Sequence, residues 1–355
     1  MPVHPHPQIL LLSAYRADSH AAWADWLCNA NPGFHWQRLE LPGRYFRWRI
    51  RGNPLSWLDD LKGVTPDALV ATSMVDLATL RGLHPQLAHA PALYYFHENQ
   101  FAYPISEYQM RSIEPQMVQL YGALAADQTV FNSSFNRDSF LEGVRQLLAR
   151  MPDAVPDAIV ERLAATASVL PVPITPIAPA PGDRDARLIL WNHRWEYDKA
   201  PETFASAMLE LAELGLDFRL ALLGPRPRSA PACLLALRRQ LGERIITDGF
   251  VSRAEYRAIL GRAGIAVSTA MHEFQGLAML EAVSAGAVPL VPDTLAYTEQ
   301  YPLEYRYRAD ESGALVNHLA RWLKSRPPPA PDVHPWTEAA LLPAWQATLK
   351  SLLAA

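Results

Sequence analysis

Two glutamates eight residues apart, Glu273 and Glu281, carry the chemistry to which this sequence is best suited. A carboxylate accepts hydrogen bonds from both hydroxyls of a vicinal diol, so each can hold one sugar ring. Eight residues at ~1.5 Å per helical residue span about 12 Å, comparable to the separation of the two sugars in a nucleoside-diphosphate sugar. Between them Gly276 lets a backbone approach a ligand closely, and a helix that opens there presents free N–H groups and its positive end to a diphosphate. A lone pair of this kind is more often a helix-end charge and a solvated face. The polar loop Ser268 to Gln275, the glycine and the small residues through Gly286 favour the ligand.

Other polar residues stand where apolar runs end. Asn192 and Arg194 follow the run Leu188 to Trp191, and Lys199 precedes a helix that opens near Pro201. Arg194 as a planar fork and Lys199 as a point charge suit the neutralisation of a diphosphate, although Glu196 and Asp198 offer them surface partners. Leu277, at the first turn after Gly276, completes this donor-binding set. In the first half, His97, Glu98, Asn99 and Gln100 follow the run Pro91 to Phe96, and Asn132 and Ser133 follow Thr129 to Phe131. All six are cleft candidates, with His97 as a catalytic one. Ser19 and His20 open a helix after the strand Ile9 to Ala14, either as cleft contacts or as a capping serine and a surface histidine. Arg44 to Arg51 holds four arginines among aromatic residues, with no acid from Leu41 to Trp57. As an extended segment it puts Arg47, Arg49 and Arg51 on one face to grip phosphates and stack a base, or merely to be solvated. Asp183-Arg184-Asp185 fits an Asp-x-Asp metal motif, but it lies at the edge of a linker and belongs to a different sugar-transfer fold. No metal ligand set is expected.

The elements that position these residues alternate strand and helix. Buried apolar runs at Ile9, Ala68, Pro91, Thr129, Leu188, Phe218, Ile245, Ile265 and Ala287 each end in polar or glycine-containing loops, the mark of parallel α/β sheets whose ligands gather at the strand ends. The proline-rich stretch Leu170 to Gly182 excludes helix and central strand and reads as an interdomain connection. The expected organisation is a Rossmann-like acceptor domain over residues 1–172, a linker over 173–186, a nucleotide-sugar-binding domain over 187–330, and a helix within 334–355 that returns to the first domain.

At 355 residues the chain is long enough for two full cores. Its 32 basic and 36 acidic residues give no overall positive field. Cys28 and Cys233 are far apart in the chain and have no metal-ligand spacing, which suits a reducing cytoplasm. The run Ile9 to Leu12 is too short to span a membrane, and no protein partner is evident. The loop Tyr15 to His20 has no glycine, which removes the main support for dinucleotide binding.

The spacing Glu273-x7-Glu281 resembles the signature of retaining glycosyltransferases of the GT-B type, which implies two Rossmann-like domains facing each other across a cleft. Tyr95 to Gln100 with Tyr103-Pro104, Asn192 to Glu196 with Asp198-Lys199, and Thr269 with His272 to Phe274 are together similar to the glycosyltransferase-like proteins identified as tRNA-queuosine α-mannosyltransferases. The similarity is collinear over most of the chain. It implies GDP-mannose as donor, queuosine in a tRNA anticodon as acceptor, and His97 near the reacting carbon of the sugar. That family usually has two glycines where Arg16-Ala17-Asp18 stands here. The residues alone leave open a polysaccharide, lipid-linked or small-molecule acceptor, a non-catalytic nucleotide-sugar or RNA-binding protein, and a nucleotide-sugar epimerase.

Overall fold

The computed structural model describes residues 6–103, 112–153, 155–179, 184–225 and 230–354. Pro104, Asp183 and part of the 173–186 linker therefore lie outside the described residues. The chain forms two compact units, residues 1–173 with 341–355, and residues 174–340.

The first unit is built on six parallel strands: β1 Gln8–Arg16, β2 His35–Pro42, β3 Ala68–Thr72, β4 Ala92–Phe96, β5 Gln128–Phe131 and β6 Ala167–Val169, in the order β2-β1-β3-β4-β5-β6. β3 and β4 are buried along their whole length, as continuous apolar runs in a sheet covered on both faces must be. β2 is half-exposed throughout and its polar sequence gives no buried-strand signal. Its Arg38 and Glu40 form a closed ring of ion pairs with Asp25 and Arg16. Arg16 is thus held by Glu40 at 2.6 Å and Asp25 at 3.1 Å.

Residues 46–51 are not extended, as the alternation of arginine with aromatic residues suggests, but form the start of a helix, Phe46–Ser56. Tyr45 takes a left-handed turn at φ 58° ahead of it, and its carbonyl accepts the N–H groups of Trp48 and Arg49. Pro54 lies inside this helix and deprives the Ile50 carbonyl of its usual donor. Asn53 Nδ2 donates to that carbonyl at 3.2 Å and to Arg49 O at 2.7 Å. The side-chain amide thus replaces the missing bond.

The helix Glu338–Leu353 packs its C-terminal part on the first unit. Trp345 is fully buried, tilted against Trp23 at 5.7 Å and Tyr95 at 5.1 Å, and its indole N–H donates to Pro171 O. The proline-rich stretch is anchored as well. Ile174 and Ile177 are buried in the core of the second unit, Ile174 bridges to Thr337, and Ile177 N–H donates to Ser284 Oγ. The first strand of that unit begins at Asp185, within the expected linker.

The second sheet comprises β7 Asp185–Trp191, β8 Arg219–Leu223, β9 Ile245–Gly249, β10 Ala263–Val267, β11 Val288–Pro292 and β12 Arg306–Tyr307, all parallel, in the order β12-β11-β10-β7-β8-β9. Counted from β7 this is the Rossmann order 3-2-1-4-5-6. Its topological switch point lies between β7 and β10, the place at which such sheets bind ligands. Among the described residues no helix is long and apolar enough to cross a membrane.

Candidate active site

The two loops at the switch point, after β7 and after β10, are the ones that carry Asn192 to Lys199 and Ser268 to Gly276. They are joined by several bonds. Thr269 Oγ1 donates to the carbonyls of Lys199 and Ala200 at 2.8 and 3.0 Å, and the N–H groups of Met271 and His272 reach the Asp198 carbonyl. Gly224, at φ 96°, closes the turn after β8 so tightly that a Cβ there would overlap the His193 carbonyl.

Lys199 lies at the centre. Its Nζ donates to His272 O at 2.7 Å and to Glu273 Oε2 at 3.1 Å, and Asp198 is 3.3 Å away. Burial alone would raise the Glu273 pKa. The Lys199 ammonium and the Gly276 N–H overcome it and hold the carboxyl at about 2, so it is ionised at any physiological pH. His193 is pushed down to about 3 and His272 to about 4, each mainly by burial and then by Lys199, so both rings are neutral. Arg194 is half-exposed and pairs with Glu196 at 2.9 Å and Asp198 at 3.5 Å.

The helix Leu277–Ser284 starts from Gly276, whose φ of 72° only glycine adopts readily and whose hydrogen side faces Tyr297. Its far end closes in a Schellman turn, Gly286 N–H to Val283 O and Ala287 N–H to Ala282 O. The Glu273 carboxylate takes the Gly276 N–H for itself. The N–H groups of Leu277 and Ala278, with no carbonyl a turn earlier in the helix, are left for an anion. Glu281 accepts from Tyr256 OH at 2.8 Å, and its pKa is raised because burial outweighs that bond and the nearby arginines. Asn192, expected among the donor contacts, spends its amide on Ala278 O at 2.9 Å and Tyr256 OH at 3.2 Å. Its Nδ2 thus fixes the helix, while its buried Oδ1 has no partner.

The first unit has its own polar cluster after β4. His97 is 7% exposed, its Nε2 has no partner, and its pKa is far below the usual value through burial and then through His20. His20 stacks on it at 4.1 Å and is itself buried, so it is not a surface residue. Its Nδ1 lies 2.7 Å from Tyr15 O, and since a carbonyl only accepts, Nδ1 carries the proton. Asn99, Asn132 and Ser133 differ from the cleft contacts expected of them. Asn99 is wholly enclosed, donating to Asn136 and Ser139 and accepting from Phe101 and Ala102. Asn132 donates to His97 O at 2.9 Å, and Ser133 caps the helix Ser134–Leu148. Of the three, Asn132 is the one bonded to His97. Gln100 is tied through its N–H to Gln119, Glu98 accepts from Gln100 Nε2, and Ser19 is exposed on the first helical turn of Asp18–Ala30. Arg51 pairs with Asp76 at 2.5 Å, while Arg47 is exposed and Arg49 partly buried.

Sequence reading missed Tyr256, Asp198, Thr269 and His193 as parts of the donor-side cluster. Thr269, His193 and Asp198 stand inside the motifs that carry the family resemblance. Tyr256 has no local signal, because only the sheet brings it to Glu281 across 25 residues of chain.

Two parallel α/β sheets, the first in the order 2-1-3-4-5-6 and the second in the Rossmann order with a charged cluster at its switch point, make up the GT-B fold, and solved structures agree. Sucrose-phosphate synthase from Thermosynechococcus elongatus superposes with a TM-score of 0.69 at 15% identity, covering 98% of this chain and 97% of that one. The lipopolysaccharide outer core galactosyltransferase WaaB gives 0.67 at 13%, covering 97% and 99%. Anabaena HepE in complex with UDP and glucose gives 0.66 at 12%, covering 99% and 100%. Residues 8–174 match the family described as tRNA-queuosine alpha-mannosyltransferase N-terminal, and residues 178–339 the glycosyl transferases group 1. A Drosophila melanogaster tRNA-queuosine alpha-mannosyltransferase is 33% identical over 326 residues, 88% of this chain and 86% of that protein. The chain belongs to the tRNA-queuosine alpha-mannosyltransferase family.

Proposed function

We propose that this enzyme transfers mannose from GDP-mannose to queuosine in tRNA with retention of configuration. The single observation that carries the donor side is the Lys199–Glu273 pair beside the N-terminus of Leu277–Ser284, with Glu281 on the same helix. The 33% identity to a tRNA-queuosine alpha-mannosyltransferase supports the acceptor.

In this reading the diphosphate lies at the N–H groups of Leu277 and Ala278, with Arg194 swinging from Glu196 and Lys199 adding positive charge. Glu273, kept ionised, accepts hydrogen bonds from the mannose hydroxyls, and Glu281 from the ribose diol. The acceptor hydroxyl oxygen bonds to the anomeric carbon on the face from which the diphosphate leaves. The bond from that carbon to the phosphate oxygen breaks with its electron pair passing to the oxygen, which takes the hydroxyl proton. No side chain needs to act as base.

The test is incubation with GDP-mannose and tRNA that carries or lacks queuosine, followed by mass analysis of the nucleosides. Mannosyl-queuosine formed only with the modified tRNA is the expected result. Donor turnover that leaves queuosine unchanged overturns the acceptor assignment, and binding of a nucleotide sugar without turnover overturns catalysis. The net charge of −4 favours a second reading, transfer to a polysaccharide, lipid-linked or small-molecule acceptor, which the same assay detects with those acceptors.

A further inference from the structure

One face of the helix Phe46–Ser56 differs sharply from the rest of a slightly acidic molecule. Arg47 and Trp48 lie four and three residues before Arg51 on the helix and so share one side with it, and Arg44 precedes the turn that opens the helix. Trp48 is 55% exposed, and Tyr45, at the turn before the helix, 69%. Arg51 reaches Asp76, but among the described residues Arg44, Arg47 and Arg49 form no ion pair. The opposite side buries Ile50, Asn53 and Pro54, so the orientation of the helix is fixed by the fold.

Gly52 shows what the exposed side is built for. A glycine inside a helix costs about 1 kcal/mol relative to alanine. A Cβ at Gly52 would meet three atoms of the Trp48 ring at 2.5 to 2.7 Å, nearly equidistant, so the indole lies face-down on the helix there. One ring face is covered by backbone and the other is open to solvent. A flat ring held on the helix, with the unpaired Arg44 and Arg47 close to it in the chain, has the two components of a nucleotide site, a stacking surface and phosphate donors. Arg44 also lies over the Tyr45 ring at 5.4 Å.

We propose that this face binds unpaired nucleotides of the acceptor tRNA, with Trp48 and Tyr45 stacking bases while Arg44 and Arg47 contact phosphates. The proposal rests on the tRNA reading above and extends it to a surface outside the donor site. A bilayer shares the phosphate chemistry, but its apolar interior needs a continuous hydrophobic face, and here Arg47 and Arg51 flank Trp48.

The test uses the full-length protein, bulk tRNA and a short single-stranded RNA, with the variants Trp48→Ala and Arg44→Ala/Arg47→Ala. Affinity is measured against salt, transfer is resolved into KM for tRNA and kcat, and the thermal shift produced by GDP serves as a donor-site control. Trp48→Ala is expected to weaken RNA binding and raise KM roughly tenfold, with kcat and the GDP shift unchanged. The double arginine variant is expected to lower the salt slope by about two. Variants that bind RNA like the parent, in a protein that still modifies tRNA, overturn this surface alone. Variants that lose binding to phosphatidylserine vesicles while keeping tRNA affinity overturn it in favour of a membrane. A parent protein that neither binds nor modifies tRNA removes both readings.

Discussion

Glu273 owes its negative charge to a neighbour. Its folded pKa of about 2 lies below the ordinary 4.5, so ionisation of this group stabilises the fold above pH 4.5, and that contribution disappears as pH falls through 2. Glu273→Gln should therefore flatten the acid limb of a chemical-denaturation profile between those values; an unchanged limb would show that the pair does not set the charge. Lys199→Met leaves the carboxylate enclosed without its cation, and a loss of about 3 kcal/mol is expected, typical for breaking a buried pair, with transfer lowered at least a hundredfold. Glu281 is the opposite case, a carboxyl whose pKa burial raises. Its ionised form is unfavourable in the fold, so Glu281→Gln should keep or raise the melting temperature while weakening GDP binding about tenfold, through loss of charged hydrogen bonds to the ribose. A clear fall in melting temperature would contradict that account.

The element that organises the donor side is the short helix Leu277–Ser284, and its two ends are set by glycines. Gly276→Ala must accommodate both φ 72° and the Tyr297 ring 2.8 Å from the new Cβ. A loss of at least ~1 kcal/mol together with a reduced kcat is expected, by thermal melts and single-turnover assays. The sequence made this helix legible because glycine, small residues and carboxylates mark its ends and faces locally. It also made the strand ends legible, since a buried parallel strand must be apolar throughout and the chain must turn polar where it leaves the sheet. The helix Phe46–Ser56 was not legible: arginines alternate with aromatic residues at period two, and the compensation of Pro54 by Asn53 is visible only in coordinates. β2 escaped for a related reason, because its charged side chains are stabilised by Arg16 and Asp25, far away in the chain. The roles of Asn99 and Asn132 depend on which carbonyls the fold brings to them, and a polar tip reads the same whether it faces a ligand or the backbone.

At the scale of the whole molecule, each α/β unit has its own core, and the first takes its last helix from a distant part of the chain. Trp345→Ala should destabilise that unit by ~3–5 kcal/mol, and calorimetry is expected to separate an early transition of the first unit from a later one of the second. A single transition shifted as a whole would mean that the units unfold together. Residues 341–355 are also synthesised only after the whole of residues 174–340. The half that emerges first therefore cannot close its hydrophobic interior around Trp23 and Tyr95 until the other half has been made. During translation the later unit is free to mature ahead of the earlier one, and the exposed indole and phenol rings of the waiting half are the surface that a chaperone would meet.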